Sequence, residues 1–358
     1  MLTCIANFFP DHWIYGKYEQ DIFASIQQQI QMRWPNENNV LLNLTWTGPE
    51  TNQQIDSVLA ENKEIHNLFL LSTVDPVPHA VYPVPYSARG FVPRFQQHGV
   101  KNIYYLGNSE GAHYFNFFAI VCADHHEQYT TEDLVLRDVK YPYISYNRKT
   151  YVHRLDLVKE LVRRDLVSKG IVTLGRPFPG NNTPEDQLYF SIGEKNQDYV
   201  KYGHWYSDSH TATPHDIPHD LFSLHNWHYW QHHFLHVVGS TTVWNEDHLF
   251  VNQINFKPLI GMRPFIINGQ TKLYKWLRDQ GFQTFEHLFP DQDLTTSGGQ
   301  GNGKLTRAVA DAIEHVCSLP LAELQSIYNE ILPDLIHNRL HFQEWMAEQQ
   351  RRVNNLFP

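Results

Sequence analysis

The chain has 358 residues, enough for two domains that each bury a core. Against 28 Lys and Arg stand 38 Asp and Glu, a formal net charge of −10 that excludes a general polyanion binder and leaves room only for a local basic cleft. Aromatic residues form 14% of the chain, which excludes a disordered one.

The predicted elements begin with a strand over 2–8 and a loop over 9–13. A helix follows over 20–32, then a strand over 39–46, a helix over 57–62 and a strand over 67–73. Strands alternating with helices at this spacing predict a doubly wound parallel sheet. Residues 75–86 are Pro-rich and cannot be helical, so they read as a rigid extended loop rather than a peptide-recognition segment. A strand over 102–106 leads into a turn over 107–111, and the apolar run 114–122 reads as a further strand.

A domain boundary is expected within 129–141, where Thr130 opens a short helix and Pro142 closes it. A strand over 143–146 then precedes a helix over 152–167 capped by Gly170. Residues 171–174 form the next strand, and 176–213 read as a long loop. Residues 225–236 read as a helix leading into a strand at 237–238. A polar loop over 252–255 precedes one helical turn over 256–262 and an apolar strand over 264–267, closed by Asn268-Gly269. Helices over 271–280, 304–316 and 322–350 complete the chain, the last kinked or split at Pro333.

Cys4, Cys122 and Cys317 are few, odd in number and far apart, so reduced thiols are expected rather than a disulfide framework. No run approaches the roughly 18 apolar residues of a membrane span. The first residues lack the basic start and apolar run of a secretory signal, so a cytoplasmic protein is expected.

Two polar clusters fall where strands hand over to helices, which is where parallel sheets bind ligands. The first is Tyr146-Asn-Arg-Lys-Thr-Tyr-Val-His-Arg154. Two arginines and a lysine beside a helix N-terminus make a diphosphate site chemically sensible. The second is Asn252-Gln-Ile-Asn255, followed by Lys257. A cation in a first helical turn opposes the helix dipole unless an anion is also present, whereas a solvent-facing lysine is the plainer reading.

The second cluster sits within Phe250-Val251, Phe256-Lys-Pro-Leu259, Arg263-Pro-Phe-Ile266 and Leu277-Arg-Asp-Gln-Gly-Phe-Gln-Thr-Phe285. This block resembles the donor-binding segment of GT-B-type glycosyltransferases, above all the α1,3-fucosyltransferase-like group and phage and microbial glycosyltransferase-like proteins. The resemblance extends to Asn147-Arg148 and His153-Arg154 and covers about residues 141–290. It implies an α/β fold of two Rossmann-like domains facing a cleft, with a C-terminal helix. The expected division is an acceptor-side domain over 1–136, a nucleotide-sugar-binding domain over 137–320 and a helical segment over 321–358. Where the family has Thr-Glu-Lys, this chain has Asn252-Gln253-Ile254. Gln253 keeps hydrogen-bonding capacity toward a ribose or sugar; Ile254 cannot bind phosphate.

The activity so implied is metal-independent transfer of a sugar from a nucleotide sugar to a hydroxyl, with the nucleotide sugar as co-substrate and no separate cofactor. The acceptor is a glycan or a hydroxymethylated DNA base, and a viral source would place the protein in the host cytoplasm. Donor contacts are expected from Asn147, Arg148, Arg154, Asn252, Gln253, Asn255 and Lys257, with Arg148 also stabilising the leaving diphosphate. The catalytic base is expected from the first domain. Glu110, in Tyr105-Leu-Gly-Asn-Ser-Glu-Gly-Ala-His-Tyr-Phe-Asn116, loosely resembles the fucosyltransferase loop that presents the catalytic acid. Asp11, His12 and His113 are the other acceptor-side candidates.

Two rivals belong to different classes. A catalytically degenerate nucleotide- or sugar-binding protein on the same scaffold would account for Gln253 and Ile254. A zinc hydrolase would use His225, His228, His232 and His236, which fall at helical spacing, although interleaved Trp227, Tyr229, Trp230 and Phe234 favour a packed aromatic helix. The stretch Ser297-Gly-Gly-Gln-Gly-Asn-Gly-Lys304 nearly spells a phosphate loop, but Leu305 stands where Ser or Thr is required.

Overall fold

The computed structural model describes residues 1–6, 14–44, 49–61, 64–72, 88–107, 114–122, 129–147, 151–174, 227–240, 249–290, 294 and 303–357. The Pro-rich 75–86 segment, the 176–213 loop and most of the near-phosphate loop lie outside the described residues. Two compact units emerge: Met1–Asp124 with Glu344–Pro358, and His125–Gln343. The α/β class expected from the sequence holds, because each unit is built on a parallel four-stranded sheet.

The first unit contains β1 (Leu2–Ile5), α1 (Ile14–Arg33), β2 (Asn39–Asn43), α2 (Pro49–Glu61), β3 (Asn67–Ser72), α3 (Ala88–Gln97), β4 (Asn102–Gly107) and α4 (Phe117–Val121). Its strands pair in chain order, β1-β2-β3-β4. Side chains alternate across the pleat. Val40, Leu42, Leu68 and Leu70 face Ile55, Val58 and Leu59 of α2 and Phe91 and Phe95 of α3. Each such buried apolar side chain contributes roughly 1.5–3 kcal/mol. The intervening Phe69 stacks on Tyr104 at 4.7 Å, and Trp34 and Phe357 pack against both rings.

Strands β2, β3 and β4 each begin with asparagine, and the three residues sit in register. Asn67 Nδ2 donates to Asn39 Oδ1 at 2.7 Å, and Asn102 Nδ2 donates to Asn67 Oδ1 at 2.9 Å. The ladder fixes register at the amino edge of the sheet, where a one-residue slip would turn every apolar side chain to the wrong face.

Within 114–122 the structure has a helix where the apolar run suggests a strand. Asn116 decides it: its side chain caps α4 by accepting from the Ala119 N–H at 3.0 Å. Short apolar runs do not distinguish the two states by period alone. Helix α3 was not anticipated, because Pro93 inside it breaks the helical pattern.

The second unit contains α5 (Thr131–Leu134), β5 (Tyr141–Asn147), α6 (Val152–Arg163), a 3-10 turn (Val167–Lys169), β6 (Ile171–Leu174), α7 (Trp227–His232), β7 (His233–Gly239), α8 (Gln253–Ile260), β8 (Phe265–Asn268), α9 (Lys272–Asp279), a second 3-10 turn (Glu286–Leu288) and α10 (Lys304–Ser318). Helix α11 (Leu321–Asn354) is continuous through Pro333 rather than split there, and its final turns belong to the first unit.

The second sheet runs β6-β5-β7-β8, all parallel. From β5 the chain steps outward to β6, then returns to β7 on the other side and continues to β8. Strand order therefore reverses between β5 and β7, and such a switch point opens a crevice at the strands' carboxyl ends. The first sheet has no such reversal among its described strands.

Two further expectations are corrected. Residues 225–236 are not one helix: α7 ends at His232, and from His233 the chain pairs with β5 as a strand. Helix α6 ends at Arg163 and is turned by Asp165, with φ 54°, rather than capped by Gly170. Gly170 is required for a different reason, since a Cβ there would lie 2.5 Å from the Tyr143 ring.

Candidate functional site

The carboxyl edge at the switch point is made of residues that are polar and almost wholly buried. Strand β5 ends at Asn147, whose backbone N–H donates to Thr173 Oγ1 of β6 at 3.1 Å. Its Nδ2 donates to Ser145 Oγ at 3.0 Å and to the Ser145 carbonyl at 3.3 Å. Its Oδ1 is buried and accepts no hydrogen bond among the described residues. An unmade buried acceptor costs roughly 1–3 kcal/mol.

Helix α6 begins beside it. Its N-cap residue is Tyr151, whose side chain makes no capping hydrogen bond. The first turn carries His153 and Arg154, and both side chains are buried. Arg154 Nη2 donates to the carbonyls of Gly239 at 2.5 Å and Ser240 at 3.1 Å. Its guanidinium also lies 4.9 Å from the Tyr151 ring centroid. His153 Nε2 lies 2.8 Å from the Ser240 carbonyl oxygen, which can only accept, so the ring proton is on Nε2. Burial first, then the neighbouring Arg154 charge, pushes the His153 pKa down to about 4, so its imidazole is neutral at physiological pH.

Strand β7 ends at Gly239, followed by Ser240. A Cβ on Gly239 would lie 2.9 Å from Asn147 Oδ1 and 3.2 Å from Arg154 Nε, so only glycine leaves this corner open. Ser240 is tied to the next strand by its N–H, which donates to the Asn268 carbonyl at 3.1 Å. Asn268 Nδ2 donates to the His153 carbonyl at 3.0 Å, and Thr306 Oγ1 in the first turn of α10 reaches Asn268 Oδ1 at 3.4 Å. Asn255 Nδ2 donates to Ser240 Oγ at 3.3 Å. The ends of β7 and β8 and the starts of three helices thus share one network.

At the start of α8, Asn252 and Asn255 form a capping box. Asn252 Oδ1 accepts from Ile254 N at 3.2 Å, and Asn255 Oδ1 accepts from Asn252 N at 2.9 Å. The chain satisfies its own donors there. Gln253 is buried in the first turn, and its Oε1 accepts no hydrogen bond among the described residues.

The placement of Lys257 is also corrected. The helix begins at Gln253, three residues earlier than expected, so Lys257 belongs to its last turn, where a cation suits the dipole. It is not solvent-facing either, being 3% exposed. Its charge is among the causes that hold His236 far below its ordinary pKa, after burial itself.

Of the expected site residues, Asn147 and Arg154 lie at the carboxyl edge of the second sheet, and Asn252, Gln253, Asn255 and Lys257 lie on or at the start of the helix that follows β7. Arg148, Glu110, Asp11, His12 and His113 lie outside the described residues. Sequence reading missed His153, Gly239, Ser240, Asn268 and Thr306. Asn268-Gly269 was visible only as a strand terminator, and nothing in the pattern marks Gly239-Ser240 as the centre of a network.

The histidines of the zinc alternative do not share a helix face. His228 and His232 are neighbours on α7, with ring centroids 4.8 Å apart. His232 Nδ1 faces Asp138 Oδ1 at 2.7 Å, and its Nε2 faces Lys140 Nζ at 3.4 Å. His236 lies on β7, with Nδ1 buried and unpaired among the described residues, and His225 lies outside them. No group of three His, Cys, Asp or Glu among the described residues is placed to hold a metal ion. Among the same residues, no helix is long and apolar enough to cross a membrane.

No protein-family model and no curated protein matches the chain. Solved structures similar to it include UDP-forming α,α-trehalose-phosphate synthases. One from Burkholderia xenovorans is 10% identical, with 95% of this chain and 79% of that chain covered and a TM-score of 0.30. A second from the same organism, in complex with glucose-6-phosphate, is 9% identical, with 96% and 79% covered and a TM-score of 0.34. One from Burkholderia vietnamiensis is 12% identical, with 96% and 80% covered and a TM-score of 0.29. Likeness at this level leaves the site to be read from its own atoms.

Proposed function

We propose that the protein is a glycosyltransferase that takes a nucleotide sugar at the carboxyl edge of the second sheet. It passes the sugar to a hydroxyl on a glycan or a hydroxymethylated DNA base, without a metal ion. The observation that carries this reading is the switch point itself: the ends of β5 and β7 meet the first turn of α6. The resemblance of 141–290 to GT-B donor-binding segments points to the same edge.

In this reading the diphosphate lies over the first turn of α6, whose N–H groups and dipole favour negative charge. Arg148 and Lys149, immediately ahead of that turn, neutralise the leaving group. Arg154 holds the end of β7 in place through the Gly239 and Ser240 carbonyls and adds positive potential without spending its donors on the ligand. Glu110 takes the acceptor proton, with Asp11, His12 and His113 as the other acceptor-side groups. Asn252 and Asn255 shape the start of α8, and Gln253 meets donor hydroxyls.

The test is release of nucleoside diphosphate from UDP- and GDP-sugars, with and without glycan and hydroxymethylated-DNA acceptors. Arg148→Ala is expected to lose turnover by two orders of magnitude or more, consistent with removal of one charge-stabilising group. The degenerate-binder reading rests on Ile254, which puts an apolar side chain where the family has a phosphate-binding lysine. Tight binding of a nucleotide sugar with neither hydrolysis nor transfer would favour it.

A further inference from the structure

We propose that Tyr328 and Arg339 of α11 are positioning residues for the nucleotide-sugar edge: they seat the carboxyl end of α8 and so set where its first turn meets Ser240. The proposal rests on reading that edge as the nucleotide-sugar site.

The last carbonyls of a helix have no partner within it. At the end of α8, three consecutive carbonyls are taken by buried side chains from other parts of the unit. Arg339 Nη1 donates to the Ile260 carbonyl at 2.8 Å. Trp230 Nε1 of α7 donates to the Gly261 carbonyl at 2.9 Å. Arg263 Nη1 donates to the Met262 carbonyl at 2.8 Å and the Gly261 carbonyl at 3.2 Å. Tyr328 Oη accepts from the Leu136 N–H at 3.1 Å and donates to the Met262 carbonyl at 3.3 Å. Two guanidiniums at a helix's carboxyl end also suit its dipole. The backbone registers how firmly this end is held. Met262 is fully buried with φ 53°, a left-handed conformation that persists only where the surroundings impose it. A Cβ on Gly261 would lie 2.1 Å from the Trp230 ring, so the ring stands directly against the helix end.

The opposite end of α8 lies eight residues away, a length of about 12 Å. There Asn255 Nδ2 donates to Ser240 Oγ at 3.3 Å, and the Ser240 carbonyl accepts from His153 and Arg154 of α6. A shift of the seated end along the helix axis is therefore passed to the residue that joins α8 to α6. Arg263 and Trp230 belong to the segments that lead into β8 and β7. Tyr328 and Arg339 reach in from a separate helix, so replacing them loosens the seat without altering the crossover itself.

The experiment uses the full chain carrying Tyr328→Phe, Arg339→Met or Arg339→Lys, with Asn67→Ala in the first unit as a comparator. Amide spectra of the ligand-free variants come first. Tyr328→Phe and Arg339→Met should shift the amides of Ser240, Asn252 and Asn255, a helix length from the replaced groups, and Arg339→Lys should bring them back toward wild type. Calorimetry with UDP and GDP follows. Tyr328→Phe, which changes no charge, and Arg339→Met should weaken binding of whichever nucleotide wild type takes by about threefold or more, and Arg339→Lys by less. Asn67→Ala should lower stability and leave that affinity unchanged, which separates positioning from a general loss of stability. Unshifted amides at those three residues, or wild-type affinity in Tyr328→Phe and the folded Arg339 variants, would overturn the inference and leave the nucleotide-sugar site standing. If Arg339→Met does not fold, Tyr328→Phe and Arg339→Lys decide the matter. Failure of wild type to bind either nucleotide would remove the functional reading, and the amide shifts would still decide whether the seat sets the first turn of α8.

Discussion

Arg154 reaches from the first turn of α6 to the Gly239 carbonyl oxygen, 2.5 Å from Nη2, and so clasps the carboxyl end of the central strand β7. The same nitrogen also bonds the Ser240 carbonyl. Charged donors to buried acceptors contribute roughly 1.5–3 kcal/mol each. Arg154→Met should therefore destabilise the second unit by about 3 kcal/mol, with Arg154→Lys recovering part of it. Denaturant unfolding checks this; a loss under about 0.5 kcal/mol in Arg154→Met would show that the clasp is idle.

In the first unit, Asn67 stands between Asn39 and Asn102 and gives or takes a hydrogen bond with each. Asn67→Ala leaves the buried Asn39 oxygen without its donor and should cost about 2 kcal/mol. Asn102→Ala, at the exposed end of the ladder, should cost less. Chemical denaturation of the two variants separates them, and equal losses would contradict the ladder.

Much of this architecture was readable before the structure. The strands at 39, 67, 102 and 171 announce themselves as apolar β-branched or leucine-rich runs, and their starts were placed correctly. Where period and composition conflict, the reading failed. Residues 233–236 carry aromatic and histidine spacing that fits a helix, yet pairing with β5 made them part of the strand expected only at 237–238. Residues 117–121 went the other way because one asparagine caps them. The site was half legible: strand-to-helix corners could be located, but the burial of Arg154 and Lys257 could not. A cation's burial depends on carbonyls contributed by distant segments, such as Gly239 for Arg154, and no local pattern records those.

Acid should weaken the fold in a defined window. Burial is the first cause holding the pKa values of His153 (about 4), His236 (about 3) and His233 below the ordinary value. The unfolded chain, with histidine near pKa 6.5, binds protons first as pH falls, so stability present above about pH 6.5 is lost toward the folded values. Each histidine contributes a slope of roughly 1 kcal/mol per pH unit in that window. Carboxylates with lowered pKa values, such as Glu160, act mainly below the ordinary carboxylate range. The guanidinium midpoint should therefore fall clearly between pH 7 and pH 5, and a flat midpoint across that interval would contradict buried neutral histidines.

Helix α6 closes through Asp165 in the left-handed region, φ 54°. Glycine adopts that conformation without the Cβ clash. Asp165→Gly should leave stability unchanged or raise it by up to about 1 kcal/mol, whereas Asp165→Val should lower it by at least that much. Thermal melts of the pair check the sign, and a stabilising valine would contradict the assigned backbone.

The most direct test of the nucleotide-sugar site is a backbone amide NMR titration of the full chain with UDP and GDP. Binding at the switch point predicts the largest, saturable shifts at Asn147, Val152, His153, Gly239 and Ser240, with little change along the amino edge at Asn39, Asn67 and Asn102. Saturable shifts centred away from the ends of β5 and β7, or no shifts at millimolar nucleotide, would contradict it.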